Sequence, residues 1–279
     1  MPMPQPAESL DIAALQAFVP AFKTQLAEIK RGIPKLSFYP HDTFGNLWHL
    51  ETLLRGDRRD LARLAGGLPI ADIGAADGDL AFFLESRGLD VHIIDNGPTN
   101  CNNLDGARAV KHALGSKVEV HDIDLDTQFT LPQAEYGLVF FLGILYHLKN
   151  PYYALEMLAR RSRHIALSTR VAQFAKPLVP PPAPGVREML SRLVDPPSDL
   201  TRIAGLPVAY LVDERECNDD PTNFWIFTHE GLKRILARCG WDVLDYMAVG
   251  NTTKSDPATL GGDERAFCLA RSRVFGKKE

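Results

Sequence analysis

The 279-residue sequence has few cysteines, no apolar run long enough to span a membrane and no excess of positive charge. Its four cysteines are scattered without a C-x-x-C pair, so neither a disulfide framework nor a cysteine zinc site is expected. No early apolar run is flanked by basic residues and a cleavage site, which predicts a cytoplasmic protein with no membrane partner. The formal net charge of −4 disfavours a simple nucleic-acid binder but leaves room for a local basic face.

Composition and hydrophobic periodicity divide the chain into three parts. Residues 1–10 are rich in proline and predict a disordered tail, while residues 11–64 predict an N-terminal helical cover. Residues 65–279 alternate short apolar runs with helical patterns, which predicts an α/β domain. Within it, residues 171–223 break the alternation with prolines and acidic residues, and so predict a lid insertion.

The order of the elements predicts a Rossmann-like, doubly wound, mostly parallel sheet of seven strands. Its last two strands have no helix between them, so the last strand is expected to be antiparallel. Strands are predicted at 68–73, 90–95, 117–121, 136–142, 164–169, 241–249 and 265–273. Helices are predicted at 78–87, 103–114 and 151–161 and after Thr228, and a longer one that Asp11 caps carries apolar residues Leu15, Phe18, Phe22, Leu26 and Ile29.

The turn between the first predicted strand and helix, within LPIADIGAADGDLAFFLE at 68–85, has the features of a binding loop. A dinucleotide site requires the spacing G-x-G-x-x-G and a helix N-terminus whose amides can bind phosphate. Here Asp79 replaces the third glycine, and Asp77 and Asp79 bring negative charge to the helix start. A cation without phosphate, such as S-adenosylmethionine, therefore suits the loop better.

Aspartates also follow the next two predicted strands, where ligands of such sheets bind. Asp95 is placed to accept both ribose hydroxyls, and Asp122 to accept the adenine amino group with Ile123 against the ring. A helix cap is the alternative role of such aspartates. The full set expected to contact the cofactor is Asp72, Gly74, Ala75, Asp77, Gly78, Asp95, Asn96, Asp122, Ile123, Leu142 and Gly143.

These motifs resemble the class I S-adenosylmethionine-dependent methyltransferases, whose glycine loop corresponds to DIGAADG. Within that class, FFLGILYHLKNPYYALEML and NFWIFTHEGLKRILARCGWDV are similar to the tRNA wobble-uridine methyltransferase and carboxymethyltransferase group. The resemblance implies methyl transfer to a modified tRNA, and it implies that the cofactor is S-adenosylmethionine or its carboxylated form. Tyr146, Arg265 and either Lys30 or Arg31 match positions that surround the added carboxylate in that group.

The acceptor side is expected after the fourth predicted strand, where Leu142, Gly143, Tyr146 and His147 would lie beside the reactive methyl group. His147 could remove a proton from an acceptor hydroxyl, or it could instead hydrogen-bond backbone at the start of the next helix. Arg170 and Trp225 are further candidates for contact with the acceptor. No metal site is predicted, because Asp219 and Asp220 lack converging ligands.

Other functions are compatible with parts of the pattern. A small molecule or natural product is the alternative methyl acceptor, and it fits the acidic charge and the enclosing lid. From other classes, a nicotinamide-dependent oxidoreductase or a non-catalytic cofactor-binding protein would share the sheet. The oligomeric state is not predicted.

Overall fold

The computed structural model describes residues 10–127, 130–175, 201–250, 255–257 and 263–277. The expected disordered tail, up to residue 9, and most of the proline-rich part of the insertion, at 176–200, lie outside these residues. The chain divides into two compact units. The first unit comprises Met1–Thr169, Leu236–Met247 and Phe267–Glu279, and the second comprises Arg170–Ile235 and Ala248–Ala266. The predicted domain boundaries stay predictions.

The N-terminal region of the first unit is helical. The Asp11 side chain accepts a hydrogen bond from the Ala13 amide and so caps the first helix, as predicted. The single helix expected from Asp11 onward is wrong, because Pro20 lacks an amide proton and is tolerated in the first turn of a new helix but not in the interior of a longer one. The four helices are α1 (Ile12–Gln16), α2 (Val19–Arg31), α3 (Gly45–Leu53) and α4 (Leu61–Ala65).

Strands and helices alternate after residue 69. The strands are β1 (Ile70–Ile73), β2 (Val91–Asp95), β3 (Glu119–Asp122), β4 (Tyr136–Leu142) and β5 (Ser162–Val171), followed by short strands β6 (Phe174–Ala175), β7 (Thr201–Arg202), β8 (Ala209–Leu211) and β9 (Trp225–Phe227), and by β10 (Trp241–Gly250) and β11 (Glu264–Ser272). The accompanying helices are α5 (Asp79–Ser86), α6 (Asp105–Leu114), α7 (Pro151–Arg161) and α8 (His229–Arg238). No helix among the described residues is both long and apolar enough to cross a membrane.

The main path of the sheet has the order β10-β11-β5-β4-β1-β2-β3. The pairs β1–β2, β1–β4, β2–β3 and β4–β5 are parallel, and the sheet carries one antiparallel edge strand. This confirms the Rossmann-like, mostly parallel fold with seven strands in its path. Two further strands extend it, since β9 pairs with the end of β5 and β8 pairs antiparallel with β9.

The register of β1, β2 and β3 brings the ends of these strands to one edge. Asp72 of β1 pairs with Ile93 of β2, and Asp95 at the end of β2 pairs with Asp122 at the end of β3. The strands in the middle of the sheet are buried on both faces, and Phe140 of β4 is 1% exposed. The aspartates therefore emerge from a rigid core at a common edge.

Candidate functional site

The turn from β1 into α5 reverses direction tightly. Gly74, Ala76 and Gly78 all have positive φ angles, of 69°, 54° and 80°. A Cβ atom on Gly74 would collide with the Ile144 side chain, and one on Gly78 would collide with Ile93. Glycine is therefore required at both positions, and the loop backbone packs closely against its neighbours.

Asp72 lies at the base of this turn and is 5% exposed. Burial and, to a smaller extent, the negative charge of Asp95 raise the pKa of its carboxyl from the ordinary value of 3.8 to about 7. A buried carboxyl with such a pKa would be stabilised in its ionised form by an arriving cation. The strand end thus carries an acid whose ionisation is sensitive to the charges around it.

Asp77 and Asp79 are held by a lysine from the N-terminal helices. The Lys30 ammonium lies 3.3 Å from an oxygen of Asp77 and 2.8 Å from an oxygen of Asp79. Asp77 is 2% exposed and also accepts hydrogen bonds from the Tyr39 amide and the Asn102 side chain, both at 2.7 Å. Burial raises the pKa of Asp79, and Lys30 opposes that rise. Both carboxylates are therefore part of a structural network that secures the loop.

Asp95 bridges the end of β2 to the glycine loop. One of its carboxylate oxygens accepts from the Ala76 amide and the Asn100 side chain, both at 3.0 Å, and the other accepts from the Asn96 amide at 2.8 Å. Burial raises the pKa of this carboxyl, and these three hydrogen bonds counteract the rise. The contacts fix the orientation of the side chain.

Asp122 and Ile123 are joined to the same strand end. An oxygen of Asp122 accepts a hydrogen bond from the Gly97 amide at 2.7 Å, and the Ile123 amide donates to the Asp95 carbonyl at 2.9 Å. A Cβ on Gly97 would approach the second oxygen of Asp122 to 2.8 Å. The predicted ribose and adenine residues are thus brought together by β2 and β3.

The residues predicted beside the reactive methyl group follow β4. Gly143 has a φ of 80° and donates its amide to the Ser168 carbonyl, and a short 3-10 helix then spans Leu145–His147. The rings of Tyr146 and His147 lie 4.1 Å apart at 43°. The two side chains therefore form one aromatic pair at the end of β4.

The alternatives Lys30 and Arg31 differ in position. Lys30 contacts the loop aspartates, whereas Arg31 is exposed in the last turn of α2. Lys30 also lies 5.2 Å from the centre of the Phe38 ring. Its charge is thus already satisfied by two carboxylates and an aromatic face.

Arg170, Trp225 and Arg265 belong to the second unit. Arg170 is 2% exposed, and its guanidinium donates to the Cys217 sulfur at 2.8 Å and lies 3.5 Å from Asp263. Trp225 is half-buried in β9, and Arg265 lies 3.8 Å from Asp263. Their contact with an acceptor stays a prediction.

The sequence analysis missed two asparagines that organise the site. The Asn100 side chain donates a hydrogen bond to Asp95. The side-chain nitrogen of Asn102 donates to both Asp77 and the Ser37 carbonyl. Their signal in the sequence is the asparagine-rich segment NGPTNCNN directly after β2. Asparagine supplies both a donor and an acceptor, which is what a loop that must satisfy neighbouring carboxylates requires.

Comparisons with solved structures identify the fold. The N-terminal domain of EvdMO1 with SAH bound aligns with a TM-score of 0.53 and 17% identity, over 90% of this chain and 97% of that one. The same domain in the presence of SAH and D-fucose gives a TM-score of 0.51 with the same identity and coverage. An S-adenosylmethionine-dependent methyltransferase from Mesorhizobium loti gives 0.47 at 17% identity, over 74% and 91%. No protein-family model and no curated protein sequence matches the chain.

Proposed function

We propose that the protein is an enzyme that binds S-adenosylmethionine and transfers its methyl group to a nucleophilic acceptor. The observation that carries the proposal is the convergence of Asp72, Asp95 and Asp122 beside a glycine turn at one edge of the sheet. Such a set offers carboxylates to an ammonium, a sulfonium, ribose hydroxyls and an adenine amine, and all of these occur in one ligand. The domain of EvdMO1, which shares the fold, has SAH bound.

The charges around the turn favour this cofactor over a dinucleotide. Asp79 is the first residue of α5, and Asp77 precedes the helix by two positions. A pyrophosphate at that helix start would face both carboxylates, whereas a cation would be attracted to them. Lys30 compensates part of the negative charge, but Asp72 and Asp95 add to it. This balance supports a cationic ligand and argues against a nicotinamide-dependent oxidoreductase.

We propose that Asp95 binds the ribose through fewer hydrogen bonds than the sequence alone implies. A carboxylate has about four acceptor positions, and hydrogen bonds from Ala76, Asn96 and Asn100 use three of those of Asp95. Asp95 would then accept one ribose hydroxyl directly. Asp122 accepts one hydrogen bond, from Gly97, and so keeps an oxygen for the adenine amine with Ile123 against the ring.

The methionine portion of the cofactor is proposed to lie along the loop itself. Gly74, Ala75 and Gly78 would present backbone to it, and Asp72 and Asp77 would attract its ammonium. Leu142 and Gly143 would line the opposite wall at the end of β4. Since the Lys30 ammonium is already paired with Asp77 and Asp79, a carboxylate added to the cofactor would meet mostly like charge. We therefore propose the ordinary cofactor rather than the carboxylated one.

Methyl transfer is an in-line displacement at an activated carbon, so the main tasks of the protein are to align the acceptor and to exclude water. We propose His147 as the base for an acceptor that must lose a proton, with Tyr146 packed against it. Arg31, Arg170, Trp225 and Arg265 are the proposed acceptor contacts. The acceptor is an oxygen of a modified tRNA uridine or of a small molecule.

Binding of SAH to wild type and to Asp95→Ala, measured by calorimetry, tests the cofactor site. Loss of hydrogen bonds from a charged group should weaken binding about tenfold to hundredfold. Asp57→Ala is the matched control, because the Asp57 side chain is 84% exposed, and it should bind like wild type. Equal binding by wild type and Asp95→Ala would remove Asp95 from the site.

Incubation with radiolabelled cofactor tests turnover and the acceptor class. Wild type is offered bulk tRNA in one reaction and a metabolite extract in another, and label should enter one of these fractions. With the acceptor identified, His147→Gln should slow transfer about a hundredfold without weakening SAH binding. An unchanged rate in His147→Gln would assign this histidine a structural role.

A further inference from the structure

A second group of polar side chains lies on β2 and β3, between one and three residues before the aspartates that end these strands. His92 pairs in register with Glu119, and residues 119 and 121 face the same side of β3 because side chains alternate along a strand. His121 Nε2 lies 3.1 Å from a carboxylate oxygen of Glu119, and His92 Nδ1 lies 4.0 Å from it. One ligand atom from each of the three residues lies within 4.8 Å of the other two.

We propose that His92, Glu119 and His121 bind a divalent first-row transition metal ion, with Zn²⁺ as the best match. Two imidazole nitrogens and one carboxylate oxygen form a donor set typical of zinc, which binds each at about 2.0–2.2 Å. Ligand atoms of one such ion are therefore about 3–4 Å apart. The distances from the Glu119 oxygen to the two histidines, 3.1 and 4.0 Å, fall within this range. A water molecule would complete a tetrahedral site.

The surroundings of His92 favour binding through Nδ1. Its other ring nitrogen, Nε2, lies 3.8 Å from a carboxylate oxygen of Asp90. The negative charge of this nearby carboxylate favours the proton on Nε2, which leaves Nδ1 free to donate its lone pair to a metal. His92 is buried, and the ring of Tyr136 stands edge-on to it, which further limits its movement. The Tyr136 hydroxyl lies 3.5 Å from Nδ1, and the bound ion would replace this contact.

A metal ion can reach the cluster from solvent. Glu119 is exposed and His121 is half-buried, and the two imidazole rings are nearly parallel, with their centres 5.6 Å apart. An open cleft of about 380 Å³ borders His92 and Glu119, and its walls include Glu85, Asp90 and Lys117. Its acidic residues outnumber the lysine and favour the entry of cations.

The ion would tie β3 to β2 at a point close to the cofactor edge. His121 immediately precedes Asp122, whose register partner is Asp95. Bound metal would thereby stabilise the pairing that places the proposed ribose and adenine residues. The site itself does not depend on methyl transfer, since its ligands take no part in the proposed reaction.

Calorimetric titration of ZnCl₂ into chelator-treated, full-length protein tests the site. Wild type should bind one ion per chain, and Glu119→Gln and His121→Ala should each weaken binding at least about tenfold. His112→Ala is the matched control: this histidine is exposed in the last turn of α6, and its removal should leave binding unchanged. Thermal unfolding of the same proteins should show a rise in Tm with Zn²⁺ for wild type and for His112→Ala, and a smaller rise for the two cluster variants.

Two results would overturn the proposal. One is the lack of saturable Zn²⁺ binding by wild type. The other is equal binding by wild type and Glu119→Gln, a variant that changes an exposed side chain and is expected to fold. Should His121→Ala fail to fold, the comparison of Glu119→Gln with wild type still decides the question.

Discussion

The ionisation of Asp72 should couple cofactor binding to pH. Burial and the charge of Asp95 raise the pKa of this carboxyl to about 7, so the free protein carries a proton on Asp72 in mildly acidic solution. A bound ammonium and sulfonium favour the ionised form and lower the pKa, so binding must release a proton. Affinity should therefore rise with pH, by up to about tenfold per pH unit below pH 7, and level off above it.

Calorimetry of S-adenosylmethionine binding, from about pH 5.5 to about pH 7.5, measures this coupling, and the ligand's own α-amino group stays fully protonated at the acidic end, where the released protons are counted. Repeating each titration in buffers of different ionisation enthalpy gives the number of protons released. Wild type should release close to one proton at the acidic end, and Asp72→Asn, which cannot ionise, should release fewer. Affinity that is independent of pH, or the same pH dependence in wild type and Asp72→Asn, would refute the reasoning.

The same carboxyl should make the free energy of unfolding depend on pH. Because the pKa of Asp72 is about 7 in the folded state and 3.8 in the unfolded chain, the folded state retains the proton more strongly between these values. The contribution of Asp72 to stability is then fully present below about pH 4 and is lost as pH rises through about 7, by at most about 4 kcal/mol. Urea unfolding at about pH 5 and about pH 8 should show a smaller decline for Asp72→Asn than for wild type. An equal decline in the free energy of unfolding of wild type and Asp72→Asn would assign the loss of stability to other groups.

Two further predictions, each with a control variant, concern the loop and its anchor. Gly74→Ala should lower the free energy of unfolding by about 3 kcal/mol, because its positive φ and the contact with Ile144 both oppose a Cβ. Gly56→Ala, with positive φ but open space, should cost about 1 kcal/mol, and equal losses in urea unfolding would contradict this. Lys30→Met, which leaves two carboxylates without their cation, should cost about 3 kcal/mol. Lys23→Met breaks an exposed pair and should cost less than about 1 kcal/mol, so similar thermal stability of the two variants would refute the role of Lys30.

Much of the fold could be predicted because local patterns and global topology agree. Apolar strands alternate with amphipathic helices, and predicted strands such as 136–142 coincide with the strands of the structure. The first helix could not be predicted correctly from apolar spacing alone, since the spacing continues through Pro20 while the backbone hydrogen bonds cannot.

The hydrogen-bond network of the site depends on contacts between residues that are distant in sequence. Lys30 meets Asp77 and Asp79 across more than forty positions, and periodicity places it on a helix without indicating its partner. Similarly, the hydrogen bonds that occupy Asp95 arise from the path of the loop after β2. The His92, Glu119 and His121 cluster requires the register of two strands, which strand patterns leave open until the pairing is known.

The central claim is that the edge formed by Asp72, Asp95 and the glycine turn accepts a cationic sulfur nucleoside. Parallel calorimetric titrations of the wild-type protein with S-adenosylmethionine and with NADH at neutral pH test it most directly. Saturable binding of S-adenosylmethionine, with NADH binding far more weakly or not at all, is the predicted result. Preferential binding of NADH would contradict the account, because a pyrophosphate would then bind in spite of the negative carboxylates at the start of α5.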